Sequence, residues 1–583
     1  MVRPRREIIV RCFKMPQVSI DQAMQIALQH HQAGRLQQAE ELYRQILTQL
    51  PDYTPAVHCL GLIAYQSGRN DIAVDLIRRA IALWPNNAEA HSNLGIALKD
   101  MGRLDEATAA CNKAIALRPN YAEAYCNLGN ALKDQGKLDE ALTSYREAIA
   151  LKPVAADWHS NAVYTVCFHP DYDPRRILQE ARAWARQHAD PLAVHIRPHA
   201  NDRRPDRKLR VGYVSPDFRS HAEACYVLPL LENHDRSRFE IHCYSSVFLP
   251  DTLTDRHRGS ADHWHDVLKK THADLAEQVR GDAIDILVDL TMHMANNRLL
   301  MFARKPAPVQ VTWLAYPGTT GLDVMDYRLT DRYLDPPVVT KGQSQAESSE
   351  HFYSERSVHL PDCWCCYQPR SETPPVNGLP ALAAGHATFG CLNNFCKVSR
   401  DTLKCWCRLL REVSGSRLLL YAHEGSHRQD VRNVLAGEGV DPGRLCFVGR
   451  LPVAEYLRLY HQIDIGLDPF PYSGGTTSCD ALWMGVPVVS LSGRTAAGRG
   501  TATLLHNIGL PELVADSQEK YIQIAKDLAG DLPRLSQMRS SLRQRMQASP
   551  LMDEPRFARN VEAAYREMWR QWCEGVGRPT KDD

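Results

Sequence analysis

Several short stretches of this chain carry side chains suited to a phosphorylated substrate. From Ile463 to Leu491 the sequence reads IDIGLDPFPYSGGTTSCDALWMGVPVVSL. Gly474 and Gly475 allow a ligand close to the backbone, while Thr476 and Thr477 supply hydroxyls and amide N–H groups at the positive end of a helix, an arrangement that holds phosphate. Asp480, one turn into that helix, can accept hydrogen bonds from ribose hydroxyls. A capped helix in any α/β domain has the same local pattern, so the surrounding sequence must decide. In SPDFRSHAEA, Asp217 and His221 share one loop and form an acid/base or orienting pair. In NNFCK, Asn393, Asn394 and Lys397 emerge together, and a fixed lysine there neutralises charge on a departing diphosphate. The loop YPGTTG brings Gly318 and Thr319, which suit close approach to a sugar or acceptor, although a tight turn reads the same way.

The elements that must position these loops are apolar strands alternating with helical segments. LRVGYVS (209–215), FEIHCYS (239–245), IDILVDL (284–290) and VQVTWLAY (309–316) predict a parallel sheet with crossover helices. After a loop-rich passage over 341–384, a second series follows: ATFGCL (387–392), RLLLYA (417–422), RLCFVG (444–449), the strands flanking the Thr476 helix, and 513–515. Two doubly wound halves bind ligands at the carboxyl ends of their strands, which is where all of these loops fall. The expected boundaries are 208–384 for the first half and 385–575 for the second, including a closing helix over 555–572.

Ahead of them the chain repeats every 34 residues. Pro51, Pro85, Pro119 and Pro153 keep that spacing, as do Gly34, Gly68, Gly102 and Gly136, and Ala39, Ala73, Ala107 and Ala141. This is the tetratricopeptide pattern of paired helices, assigned to residues 20–156, with a degraded repeat and helical connector over 157–207. Asn93, Asn127 and Asn161 recur at one repeat position, where an amide can grip the backbone of a bound peptide. Capping between repeats would use the same residues.

The 583 residues are 44% apolar and 23% charged with a net charge of +1, which argues against a nucleic-acid protein that relies on phosphate neutralisation. Seventeen cysteines, mostly single and within apolar segments, indicate reduced core thiols and a cytoplasmic setting. Cys363, Cys365 and Cys366 cluster without a second pair at zinc spacing and read as a packed loop. No apolar run reaches bilayer length, so no membrane partner is expected. Residues 1–19 read as a basic, disordered leader and 576–583 as a tail.

Repeats fused to RVGYVSPDF, ILVDLTMHMANN, PVQVTWLAYPGTTG, MDYRLTD, FGCLNNFCK and LDPFPYSGGTTSCDALWMGVPVV closely resemble glycosyltransferase family 41, which includes O-GlcNAc transferases and SPINDLY proteins. The resemblance implies a GT-B fold of two Rossmann-like halves behind an all-α repeat solenoid. It also implies inverting transfer of one sugar, with neither metal nor cofactor, from a nucleotide-diphosphate sugar to Ser/Thr of protein or peptide acceptors. Position by position, it implies His221 as the active-site histidine and Lys397 on the diphosphate, with Asp217 beside them. It likewise implies Asn394, Thr476, Thr477 and Asp480 at the nucleotide; Gly475, Gly318, Thr319 and His293 are added to the nucleotide-sugar site, and Asn93, Asn127 and Asn161 to the acceptor, from the residues themselves. Gly475 and the run Val453, Tyr456, Leu459 depart from the O-GlcNAc transferase pattern, and LPDCWCCY, MHMANN and FPYSGGTT look more like SPINDLY. The donor is expected to be UDP-GlcNAc, with GDP-fucose as the alternative; a repeat scaffold with an inactive transferase half is the reading of another class. A homo-oligomer through the repeats is a further expectation.

Overall fold

A computed structural model describes residues 9–10, 18–336, 349–370 and 373–575. The expected leader and tail therefore lie outside the described residues, apart from Ile9–Val10 and Val18–Ser19, which pair antiparallel where a disordered leader was expected. The chain forms two compact units, Met1–Pro153 with His423–His427, and Val154–Ala422 with Arg428–Asp583.

The first unit is built of helix pairs: Ile20–Gln32 with Leu36–Gln49, Thr54–Gln66 with Asn70–Leu83, Ala88–Asp100 with Leu104–Leu117, and Ala122–Asp134 with Leu138–Leu151. Gly34, Gly68, Gly102 and Gly136 turn the chain inside each pair at φ of +72° to +75°, a conformation that a Cβ would strain. Ala39, Ala73, Ala107 and Ala141 are fully buried where the helices meet. The 34-residue period thus records the close approach of paired helices.

The second unit opens with helices Ala156–Val166 and Pro174–Trp184, in the stretch read from the sequence as a degraded repeat and connector. Trp184 is buried, donates its Nε1 hydrogen to the Ala156 carbonyl at 2.9 Å, and shares a core with Val214, Leu287 and Phe302. These helices are an integral layer of the first α/β half.

That half carries a seven-stranded parallel sheet, ordered β3-β2-β1-β4-β5-β6-β7: β1 Leu209–Ser215, β2 Phe239–Ser245, β3 His263–Asp266, β4 Ile286–Asp289, β5 Val309–Thr312, β6 Tyr327–Asp331 and β7 Arg356–Leu360. The other half has six parallel strands, ordered β10-β9-β8-β11-β12-β13: β8 Thr388–Cys391, β9 Arg417–Tyr421, β10 Leu445–Val448, β11 Ile465–Leu467, β12 Val488–Leu491 and β13 Val514–Ala515. Strand order reverses direction at β1/β4 and at β8/β11, and a ligand crevice opens at such switch points. Two parallel sheets behind a helical repeat region make the GT-B architecture expected from the sequence.

Three strands of the first sheet, β3, β6 and β7, escaped the sequence reading because none is a continuous apolar run. HWHD is a polar edge strand, YRLTD buries Arg328 against Asp335 through an ion pair at 2.6 Å, and RSVHL falls inside the stretch read as loop. The last helix, Glu554–Cys573, returns from the second half to the first. There Glu562 accepts from the Asp235 amide at 2.8 Å and pairs with His234 at 2.9 Å, and Phe557 packs on Trp313. Among the described residues, no helix is long and apolar enough to cross a membrane.

Candidate active site

A cleft of about 420 Å³ opens between the two halves, lined from the first by residues after β1 and β5 and from the second by residues after β8 and β11. The β1 loop positions its residues through Ser215 at the strand end. The Ser215 hydroxyl accepts from the Asp217 amide at 2.9 Å and donates to Glu223 at 3.0 Å. His221, part-buried in the bend just before the helix Ala224–Asn233, directs Nδ1 toward Asp217 at 3.8 Å, and the same Nδ1 accepts the Glu223 amide N–H at 3.4 Å. Burial holds His221 below the ordinary histidine range, with the Asp217 charge opposing, so its imidazole is neutral at pH 7. Asp217 also takes a guanidinium contact from Arg219 at 3.2 Å.

Across the cleft, β8 runs into a single 3₁₀ turn, Phe395–Lys397. Lys397 donates to the Ser473 carbonyl at 2.9 Å and lies 4.3 Å over the Tyr472 ring. Burial lowers its pKa, with Asp468 among the groups opposing. Asn394 is exposed beside it, and the Asn393 side-chain Oδ1 accepts the Thr477 hydroxyl at 2.6 Å.

The β11 loop is shaped by Asp468, whose carboxylate accepts the Gly474 amide and the Ser490 hydroxyl, each at 2.6 Å. At Gly474 a Cβ would come within 2.1 Å of Ser478 Oγ, so the tight turn requires glycine; at Gly475 a Cβ would meet nothing within 4 Å, which leaves its backbone open to the cleft. The helix Thr476–Trp483 begins there. Its first internal acceptor is the Gly475 carbonyl, taken by Ser478 and Cys479, so the Thr476 and Thr477 amides precede the helical ladder. Asp480 is buried and accepts the Tyr367 hydroxyl at 2.7 Å and the Tyr456 hydroxyl at 3.2 Å. Burial raises its pKa against the opposing charge of Arg370.

His221, Lys397, Asn394, Gly475, Thr476, Thr477 and Asp480 are thus gathered around one cleft, with Asp217 behind His221. The structure does not bring the remaining residues there. His293 is fully buried beneath the first sheet: Nε2 donates to the Thr320 carbonyl at 2.9 Å, Nδ1 meets the Ser160 hydroxyl at 3.2 Å, and the ring stands edge-on to Trp184. Both nitrogens are occupied, and burial drives its pKa down to about 3, so the expected sugar contact is replaced by a core role. Thr319 turns inward to Glu355 at 2.7 Å and Gly318 gives its carbonyl to Arg328 at 3.1 Å; Leu314, Ala315 and Pro317 reach the cleft instead. A buried carboxylate that needed donors captured this loop.

In the repeat unit, Asn93 donates to His58 Nε2 at 3.1 Å and Asn127 to Ser92 Oγ at 3.0 Å, each one repeat earlier in the chain. Both stay partly exposed, so inter-repeat bonding uses part of each amide and leaves its oxygen for another partner. Asn161 belongs to the second unit, on helix Ala156–Val166.

Residues the sequence reading missed include Tyr164, Glu223, Tyr367 and Arg370. Glu223 is buried, one of its oxygens has no hydrogen-bond partner, and burial pushes its carboxyl well above the usual range. Its place two residues after His221 was the available signal. Asp217, His221 and Glu223 present ligand atoms within 4.8 Å of one another, but burial that disfavours the Glu223 charge and the Arg219 guanidinium on Asp217 make this a poor cation set.

The profile of glycosyl transferase family 41 matches residues 191–365 and 377–561, and tetratricopeptide-repeat profiles match 61–102 and 86–153. The chain is 39% identical over 383 residues to the probable UDP-N-acetylglucosamine–peptide N-acetylglucosaminyltransferase SPINDLY of Petunia hybrida, an alignment covering 64% of this chain and 40% of that protein. It is 40% identical over 382 residues to the Arabidopsis thaliana protein of the same description, with the same coverage. The chain spans about two-fifths of the length of these curated relatives. A solved lysine-to-methionine mutant of the Thermobaculum terrenum O-GlcNAc transferase is similar at a TM-score of 0.82 and 38% identity, covering 90% of this chain and 98% of that one.

Proposed function

The chain belongs to glycosyl transferase family 41, and from that premise we propose that it transfers a single sugar from UDP-GlcNAc to Ser/Thr hydroxyls of protein acceptors. The observation that carries this reading is the meeting, across one cleft, of a helix amino terminus at Thr476 with Lys397 on one side and His221 on the other. The amides of Thr476 and Thr477 and the Lys397 ammonium supply the positive field that a nucleotide diphosphate requires. Asp480, with its tyrosine donors exchanged for ribose hydroxyls, fixes the nucleoside.

The acceptor oxygen attacks the anomeric carbon from the face opposite the diphosphate, the carbon–oxygen bond to phosphate breaks, and the configuration inverts. Negative charge then builds on the leaving diphosphate, where Lys397 and the helix amides stand. Closing the 3.8 Å gap between His221 Nδ1 and Asp217 to a hydrogen bond, in place of the 3.4 Å contact that Nδ1 now accepts from the Glu223 amide, puts the imidazole proton on Nδ1 and turns the Nε2 lone pair outward to take the proton of the acceptor hydroxyl. No divalent ion is needed to hold the phosphates. Protein acceptors are gripped in the repeat unit through the amide oxygens of Asn93 and Asn127.

A second donor, GDP-fucose, is favoured by the SPINDLY-like motifs LPDCWCCY and FPYSGGTT. Transfer and donor hydrolysis are to be measured with UDP-GlcNAc, UDP-glucose and GDP-fucose, each with and without EDTA. Turnover of UDP-GlcNAc that survives EDTA is expected. Turnover confined to GDP-fucose would replace the donor, loss on chelation restored by magnesium would refute the metal-free site, and absence of turnover with every donor would leave an inactive scaffold.

A further inference from the structure

Away from the cleft, one face of the first sheet carries a ladder of imidazoles at its edge. In the parallel pair β2/β3, His242 is in register with His263 and Tyr244 with His265. Side chains two apart on a strand share a face, so Glu240, His242 and Tyr244 meet His263 and His265 there. The rings stack: His242 on His263 at 4.3 Å between centroids, and Tyr244 on His265 at 4.6 Å. Asp282, just past the helix His272–Gly281, closes the group. None of these residues lines the cleft.

Three groups converge. His242 Nδ1 and His265 Nε2 are 3.3 Å apart, and His265 Nε2 is 3.8 Å from Asp282 Oδ2. One ligand atom from each of the three lies within 4.8 Å of the others. Zinc binds imidazole nitrogen at about 2.0–2.1 Å, so two nitrogens on a tetrahedral ion stand ~3.3–3.4 Å apart, matching the observed gap. The surrounding residues are those that orient ligands. Tyr244 donates its hydroxyl to Asp282 at 2.8 Å, which fixes the carboxylate. Gln278 places its side-chain amide 3.0 Å from His265 Nδ1, and its Oε1 is buried without a hydrogen-bond partner. Turned over, that amide offers Oε1 to an Nδ1–H, the tautomer that frees Nε2 for a metal.

A neighbouring set, Glu240, His242 and His263, also brings its ligand atoms together. It is the poorer cation site, because Arg210 lies 3.6 Å from Glu240 and competes for the carboxylate, and because the His263 side chain is 50% exposed.

The geometry points to a site for one zinc-class divalent ion, held by His242 Nδ1, His265 Nε2 and Asp282 Oδ2 with water in the fourth position. It serves to pin the edge strand β3 to the rest of the sheet and takes no part in sugar transfer.

The test uses the full chain, stripped with chelator and titrated with zinc alone, then with cobalt(II) as a spectroscopic probe. Wild type and His263→Ala are expected to retain one tight equivalent and to gain thermal stability with it. His265→Ala and Asp282→Asn should lose that equivalent, and Gln278→Leu should weaken it roughly 10–100-fold. The cobalt spectrum should show a tetrahedral ion without a sulfur charge-transfer band. Asp282→Asn keeps the shape of the side chain, so its loss of zinc with an unchanged circular dichroism spectrum separates ligation from folding. Equal affinity in His265→Ala, a thiolate band, or loss of the ion in His263→Ala alone would each overturn the assignment.

Discussion

Replacing Lys397 by Gln removes its charge while leaving an amide able to donate toward the Ser473 carbonyl, which Lys397 now reaches at 2.9 Å. A unit charge about 4 Å from a developing negative charge is worth ~4 kcal/mol at an effective dielectric of about 20. Loss of one preorganised transition-state donor costs about 2.7–4 kcal/mol, or roughly 10²–10³ in kcat. The two routes agree, so Lys397→Gln is expected to lower kcat by about two to three orders of magnitude. Stability should change by about 1–2 kcal/mol, since Lys397 makes one hydrogen bond to a neutral carbonyl and one cation–π contact with Tyr472. The assay is initial-rate kinetics for donor hydrolysis and for transfer, with a thermal melt alongside. A pH series adds a second reading. Burial lowers the Lys397 pKa, so the cation is lost at a pH below that of an ordinary lysine, and wild-type kcat/KM should fall on that alkaline limb. The limb should vanish in Lys397→Gln. A folded variant with unchanged kcat would remove Lys397 from the chemistry, and a rise in donor KM alone would make it a ground-state contact.

His221 has its pKa lowered by burial, so the neutral base persists below pH 6.5, and the acid limb of kcat/KM should fall below the ordinary histidine range; a limb above it would refute the assignment. In Asn93→Ala/Asn127→Ala, two neutral hydrogen bonds at about 0.5–1.5 kcal/mol each are lost between repeats, so the melting temperature should drop modestly. KM for protein acceptors should rise while donor hydrolysis stays level, and an unchanged KM would confine these amides to repeat packing. His293 is depressed to about 3 against an ordinary 6.5. The unfolded chain therefore binds the extra proton between those values, and the stabilisation present above pH 6.5 is lost as pH falls, by about 1.4 kcal/mol per unit. His293→Gln should flatten that slope by one proton and leave donor KM unchanged; a large rise in donor KM would return His293 to the cleft.

What the sequence by itself determined was whatever local geometry forces into a repeated or contiguous pattern. Paired helices must approach closely at the same places, so the 34-residue recurrence of Gly, Ala and Pro was sufficient to mark the repeats. Strands buried on both faces are largely apolar, so β4, β8 and β9 were legible, and the glycine turn with a threonine-headed helix after β11 announced itself. Tertiary structure decided matters of partnership. Thr319 and His293 have the composition of binding residues, yet Glu355 and the Thr320 carbonyl claimed them, because a buried acceptor must be satisfied by whatever donor the fold brings near. Conversely, Tyr164 and Arg370 acquired their places in the cleft from elements far from its other lining residues in sequence. The polar strand β3 became a row of stacked imidazoles only when β2 came into register beside it. Periodicity records how a segment packs against its own neighbours, whereas a side chain's charge, tautomer and hydrogen-bond partner depend on atoms contributed from elsewhere in the chain.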